Sequence, residues 1–134
     1  MKRLLELVFL PIRLLWAAPC SALGLSLALL AVLSGGRMRL QGGALEAWFG
    51  KGRLATALGR QRFAAITLGH VIVAIRRQDL RRWHAHERVH VRQFEMLGPF
   101  MLLAYPVASA WAWARGQDAY RDNYFERQAY RVQT

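Results

Sequence analysis

His86-Glu87-Arg88-Val89-His90 lies in a stretch, Asp79 to Leu97, whose pattern predicts a helix. Residues four apart on a helix stand one above the other on the same face, so the two imidazoles can reach one metal ion. Glu87 sits beside them. Two neutral nitrogen ligands, an open coordination position for water and a carboxylate to take that water's proton are what hydrolysis at zinc requires. Two histidines also suit other divalent metals, but the glutamate set between them favours Zn2+ and hydrolysis.

A catalytic zinc takes three protein ligands, so one position is still to be filled. The candidate is Glu126, in Asp122-Asn123-Tyr124-Phe125-Glu126-Arg127, at 36 residues beyond His90 and early on a separate predicted helix. The competing reading of the same residues is an Asn-x-x-Glu capping box, with Asn123 as cap and Glu126 in the first turn. Tyr120, Tyr124, Tyr130 and His70 are candidates for stabilising an oxyanion, although a tyrosine near a helix is more often a packing residue. His84 falls on another helix face from His86, and His70 reads as a core histidine within an apolar strand.

The rest of the chain is read outward from this motif. Phe63 to Ile75 is rich in branched residues and predicts one buried strand, with Gly69 marking a bulge or the close approach of another backbone. Ala44 to Phe49 predicts a strand or hairpin arm, and Leu54 to Arg60 a helical turn. Asp79 is the expected cap of the motif helix, which Gly98-Pro99 ends. The fold class expected is α+β: an N-terminal membrane anchor over residues 1–36, then a domain over residues 37–134. That domain has a small antiparallel sheet, the motif helix and a C-terminal helix bearing Glu126.

Leu14 to Gly36 holds no charged residue over 23 positions, enough to cross a bilayer as a helix. A retained anchor is favoured over a cleaved signal peptide, because the apolar run is long and no clean small-x-small exit follows it. Met96 to Ala114 is a second charge-free run, of 19 residues. It stands between His90 and Glu126, so a site built from both forbids it to cross the bilayer in one pass. The run is expected to be a core or interfacial segment, with Pro106 a point at which it could break and fold back.

Net charge is +11 in a chain that is 54% hydrophobic, a combination that makes the lipid bilayer the expected partner. No finger or RNP-like strand signals specific nucleic-acid binding. Cys20 is the single cysteine, which excludes an internal disulfide and a thiolate zinc cluster. Twelve basic residues lie between Arg37 and Arg92 against three before the first apolar run, a slight lean towards a cytoplasmic domain.

With these residues in place, Trp83 to Tyr130 resembles the gluzincin class of zinc metallopeptidases, in which H-E-x-x-H is followed by a glutamate on a later helix. It is closest to small membrane-linked members such as the CAAX-type peptidases and beta-lactam-sensor protease domains. His-Glu-Arg-Val-His-Val-Arg-Gln-Phe-Glu-x-x-Gly-Pro also looks like a group of short bacterial membrane proteins. The resemblance implies a zincin-like domain at the bacterial cytoplasmic membrane. It implies His86, His90 and Glu126 as zinc ligands, Glu87 as catalytic base, and a peptide or membrane-proximal protein as substrate. The chain is short for the cleft subdomains of larger peptidases. The alternatives are a non-enzymatic basic membrane protein that binds anionic lipid or a protein partner, and a zinc-binding pseudo-peptidase.

Overall fold

The computed structural model describes residues 1–60 and 64–133. Helix α1 (Lys2–Leu33) runs for 32 residues, about 48 Å at 1.5 Å per residue, with Pro11 and Pro19 inside it. Lys2 to Trp16 are all exposed. From Ala17 onward one stripe of small residues, Ala17, Cys20, Gly24, Ala28 and Ala31, is buried against the rest of the protein. Small side chains let the helix approach closely: a Cβ on Gly24 would stand 2.7 Å from the Cβ of Val71. The second half of α1 therefore shares a core with residues 37–134.

That core is built on four short strands. β1 (Arg37–Gln41) and β2 (Ala44–Trp48) form a hairpin turned by Gly42 and Gly43, both at positive φ. A short helix, α2 (Arg53–Gly59), follows. The expected strand from Phe63 to Ile75 is instead two arms, β3 (Ala65–Leu68) and β4 (Val71–Ala74), joined at Gly69-His70; Phe63 lies outside the described residues. Extended, those 13 positions would reach about 43 Å, far beyond the five-residue β2 they would have to pair with. Folding back brings the apolar residues of both arms under α1 and the motif helix.

Strand order is β1-β2-β4-β3, and β2 runs parallel to β4. The sheet is mixed, where an antiparallel one was expected, because α2 carries the chain across between β2 and the second hairpin. β4 is buried along its whole length. Val71 and Val73 face α1 together with Ala47 and Phe49, while Ile72 and Ala74 face Leu80 and Val91 on the other side. The architecture is thus α+β: a small mixed sheet between a long N-terminal apolar helix and the motif helix.

The motif helix is α3 (Arg77–Leu97). Arg76 takes the cap position, and Asp79, the expected cap, sits in the first turn. There it receives two bonds from the Arg76 guanidinium (3.1 and 3.3 Å). Gly98, at φ +54°, ends α3 beneath the ring of Trp16, whose Nε1 donates to the Met96 carbonyl (3.2 Å). One 3-10 turn (Gly98–Phe100) leads into α4 (Met101–Ala114). Pro106 lies inside α4 without breaking it; the chain turns back only after Ala114, through the loop over 115–123. At about 21 Å, α4 is shorter than a hydrocarbon core of roughly 30 Å.

Helix α5 (Tyr124–Gln133) closes the chain. Asn123 caps it: Oδ1 accepts from the Phe125 N–H (2.9 Å), while the amide donates to Tyr105 O and Ser109 Oγ on α4. By length and composition, Lys2–Leu33 and the continuous Arg77–Ala114 stretch are both apolar enough to cross a membrane.

Gly69 ties α1 to the sheet. Its φ is +60°, and a Cβ there would meet Ser21 N at 2.6 Å and Ala17 O at 2.9 Å. The neighbouring His70 N–H donates to Ser21 Oγ (3.0 Å). Gly69→Ala is expected to destabilise the protein by about 2–4 kcal/mol, through the strained backbone and the displaced helix. Denaturant unfolding in detergent checks it.

Candidate metal centre

His86 and His90 project from one face of α3, and α5 brings Glu126 onto the same point. The Nε2 atoms of the two histidines are 3.2 Å apart. Glu126 Oε2 is 3.0 Å from His86 Nε2, and Oε1 is 3.4 Å from His90 Nε2. All three residues are buried. Ligand atoms at 2.0–2.1 Å from a tetrahedral zinc stand about 3.3 Å from one another. The two imidazole nitrogens stand at about that spacing from each other, and each Glu126 oxygen lies at a comparable distance from one of them.

Proton placement sharpens the fit. Gln93 Nε2 donates to the Phe125 carbonyl (3.1 Å), which only an amide NH2 can do, so its Oε1 is the atom facing His90. His90 Nδ1 must then carry a hydrogen to make the 2.8 Å contact. In neutral His90, Nε2 is therefore a bare lone pair, aimed at a carboxylate and at a second imidazole nitrogen. Acceptors converging in a buried space need a proton or a cation between them. The donor set of two imidazoles and a carboxylate suits zinc.

The ring of His86 is held by packing. Tyr130 and Trp83 stand edge-on to it with centroids at 4.7 and 5.4 Å, while its buried Nδ1 has no hydrogen-bond partner. Tyr105 donates to Glu126 Oε1 (2.7 Å), orienting the carboxylate. Burial raises the Glu126 carboxyl, but the bonds from His86 and His90 outweigh it and bring it down to about 2. For His90 burial acts downward, and the bond to Glu126 with the charge of Glu87 turns the net shift upward.

Glu87 is buried one residue beyond His86 and lines a cleft of about 450 Å³ together with His90 and Glu126. The Thr67 hydroxyl donates to its Oε2 (2.6 Å) and leaves Oε1 free. Burial pushes the Glu87 carboxyl upward, against the opposing pull of His90, the Thr67 bond and His86. All four residues of β3, an edge strand of the sheet, border this cleft, with α4 on the other side.

The four residues singled out in the sequence, His86, Glu87, His90 and Glu126, thus meet in one place. The capping-box reading holds only in part, since Asn123 caps α5 while Glu126 turns away to the imidazoles. Of the expected oxyanion candidates only Tyr120 reaches the cleft. Tyr130 packs on His86, Tyr124 is exposed and accepts from Gln128, and His70 lies in the β3–β4 turn against Glu95 (3.0 Å). His84 pairs with the buried Glu46 (2.9 Å), away from the cluster.

Thr67, Gln93 and Tyr105 were not singled out. Gln93 carries a signal, its i+3 spacing from His90; a lone Thr in an apolar strand and a Tyr in a charge-free helix carry none. Gln93→Ala should weaken zinc binding about 10–100-fold, as loss of an orienting partner does, measured by competition with a chelating dye.

Metal-free protein should show an unusual pH dependence. The raised His90 contributes stability below its unfolded value of about 6.5 and loses it as pH rises through the folded value. The depressed Glu126 contributes above about 4.5 and loses it only near 2. Their ion pair is therefore strongest between about pH 4.5 and 6.5. The thermal midpoint of metal-free protein should fall by several degrees towards pH 8, and zinc should abolish that fall.

Comparison with protein-family models, curated proteins and solved structures returned no match.

Proposed function

We propose that this protein is a membrane-anchored zinc metallopeptidase, a minimal zincin-like domain of the gluzincin type acting at the cytoplasmic membrane of a bacterium. The observation that carries the reading is the convergence of His86 Nε2, His90 Nε2 and Glu126 on one buried point, beside a carboxylate that faces a cleft.

A zinc ion held by His86, His90 and Glu126 supplies a Lewis acid that polarises a carbonyl and lowers the pKa of water towards neutrality. Glu87 Oε1 takes the proton from the attacking water and later delivers it to the leaving amine nitrogen. Its raised carboxyl suits both steps, because a base nearer neutrality also gives the proton back. Thr67 fixes the other oxygen, so the carboxylate cannot rotate away. Tyr105 and Tyr120 face the same space as phenols. Burial, and the charge of Glu126, push the Tyr120 hydroxyl upward, so it stays a hydrogen-bond donor to developing negative charge. The free edge of β3 offers backbone groups with which an extended peptide can pair.

The test is metal content and hydrolysis together. Protein purified without chelator should hold one zinc per chain and cleave peptides in detergent or vesicles. Zinc without cleavage of any peptide would indicate a binding protein on a peptidase scaffold. A metal-free protein that takes up no added zinc would sink the proposal and leave a basic lipid- or partner-binding role.

A further inference from the structure

We infer that the substrate is a peptide segment that is apolar and uncharged around the cleaved bond, and that it enters the cleft from the lipid. This rests on the metallopeptidase reading and narrows its substrate.

The polar residues lining the cleft are Glu87, His90 and Glu126, Thr67 and Tyr105 bonded to two of them, and Tyr120. Every other wall residue is apolar, Ile66, Leu68, Phe94, Leu102 and Pro106 among them. The chain carries 19 basic residues, and among the described residues no Lys or Arg lines this cleft. The exclusion is selective, because the hollow between α2 and the start of α3 is bordered by Lys51, Arg60, Arg76, Arg77 and Arg81. A charged substrate residue against the apolar walls, away from Glu87 and Glu126, would lose its hydration and find no counter-charge; an apolar one gains by burial.

The way in follows from what continues the wall. Leu102 is 45% exposed; Phe100 in the turn before α4, and Leu103 and Val107 on α4, are 63%, 66% and 58% exposed. No charge occurs from Met96 to Ala114, and Trp111 and Trp113 stand exposed just before Arg115. A charge-free apolar face ending in a tryptophan pair and an arginine matches the hydrocarbon and interface layers of a bilayer. Helix α1 adjoins the same corner, with Trp16 against Phe100 (centroids 5.8 Å), and it too is apolar on its outer side. Lipid hydrocarbon covers α4, and the cleft wall formed by Ile66 and Leu102 opens beside it. A segment leaving the bilayer reaches Glu87 without crossing water.

The experiment uses zinc-loaded protein in phosphatidylcholine–phosphatidylglycerol vesicles. Two peptide libraries of equal length are offered: one of Leu, Val, Ala and Phe residues, the other matched but carrying Lys or Asp at scattered positions. Cleavage sites are read by mass spectrometry. Flanks without charge should be favoured at least about tenfold, and Leu102→Asp or Ile66→Asp should shift acceptance towards Lys flanks, with zinc content as the control for folding. A photoactivatable residue in place of Leu103 should label acyl chains. Equal cleavage of both libraries, or a flank preference unmoved by both Asp variants, overturns the inference and leaves the peptidase reading standing. Labelling at Leu103 that misses lipid overturns entry from the bilayer. Cleavage of neither library by zinc-loaded protein overturns the peptidase reading, and the inference falls with it.

Discussion

Glu87→Gln should leave one zinc bound per chain and lower peptide hydrolysis by about three orders of magnitude, the scale of a lost general base. The substitution is close to isosteric. The side-chain carbonyl of Gln can still accept the Thr67 hydroxyl, so the rotamer and the cleft are kept. Glu87 is not one of the three groups whose ligand atoms converge, so metal content should not change. What goes is the free oxygen that takes and returns a proton. A stability measurement gives an independent check. Burial pushes the Glu87 carboxyl upward, so its charged form costs more in the folded protein than in the unfolded chain, and the neutral amide removes that cost. The variant should be as stable as the parent or more so. Undiminished turnover in Glu87→Gln would remove it from the reaction.

His86→Ala is the second large effect: loss of stoichiometric zinc and of all hydrolysis above background. Removing one of three ligands is expected to weaken binding well beyond the roughly 10–100-fold that an outer partner is worth. His86 also fills the space between Trp83 and Tyr130, so a fall in stability alone would not identify a ligand. Glu126→Gln separates the two effects. It keeps the volume and an acceptor for Tyr105, yet removes the charge that draws a cation to two imidazoles. Zinc measured by mass spectrometry of intact protein should be lost in both variants and retained in Glu87→Gln. Adding chelator to the parent should lower its thermal midpoint, and zinc should restore it. Full zinc occupancy in Glu126→Gln would take the third ligand away.

The motif was legible because helical periodicity is local. His86 and His90 reach one point by spacing alone, and Glu87 follows. Glu126 was legible for a weaker reason, a carboxylate early on a later helix, and the capping-box reading competed with it until α5 was seen to aim the side chain at the imidazoles. Gly69 was legible as a close approach, though not that α1 was the element approaching. The second hairpin was not legible: Phe63 to Ile75 is apolar but for Thr67 and His70, and so nearly continuous a run has no alternation to mark where the strand reverses. The parallel pairing of β2 with β4 depends on a crossover between distant segments, which composition does not encode.

Pro106 shows the same division. A proline in an apolar helix is a local signal for a break, yet α4 runs through it and the chain reverses after Ala114. Thr67, Gln93 and Tyr105 became visible only because β3, α3 and α4 converge on one cleft. The sequence by itself determined the candidate ligands and base, through residue types at helical spacing, and the apolar character of the two long runs. Only the tertiary structure decided which carboxylate oxygen is free, which histidine nitrogen is bare, and that no basic side chain among the described residues borders the cleft. Those depend on directions and contacts across the fold, and a one-dimensional pattern carries neither.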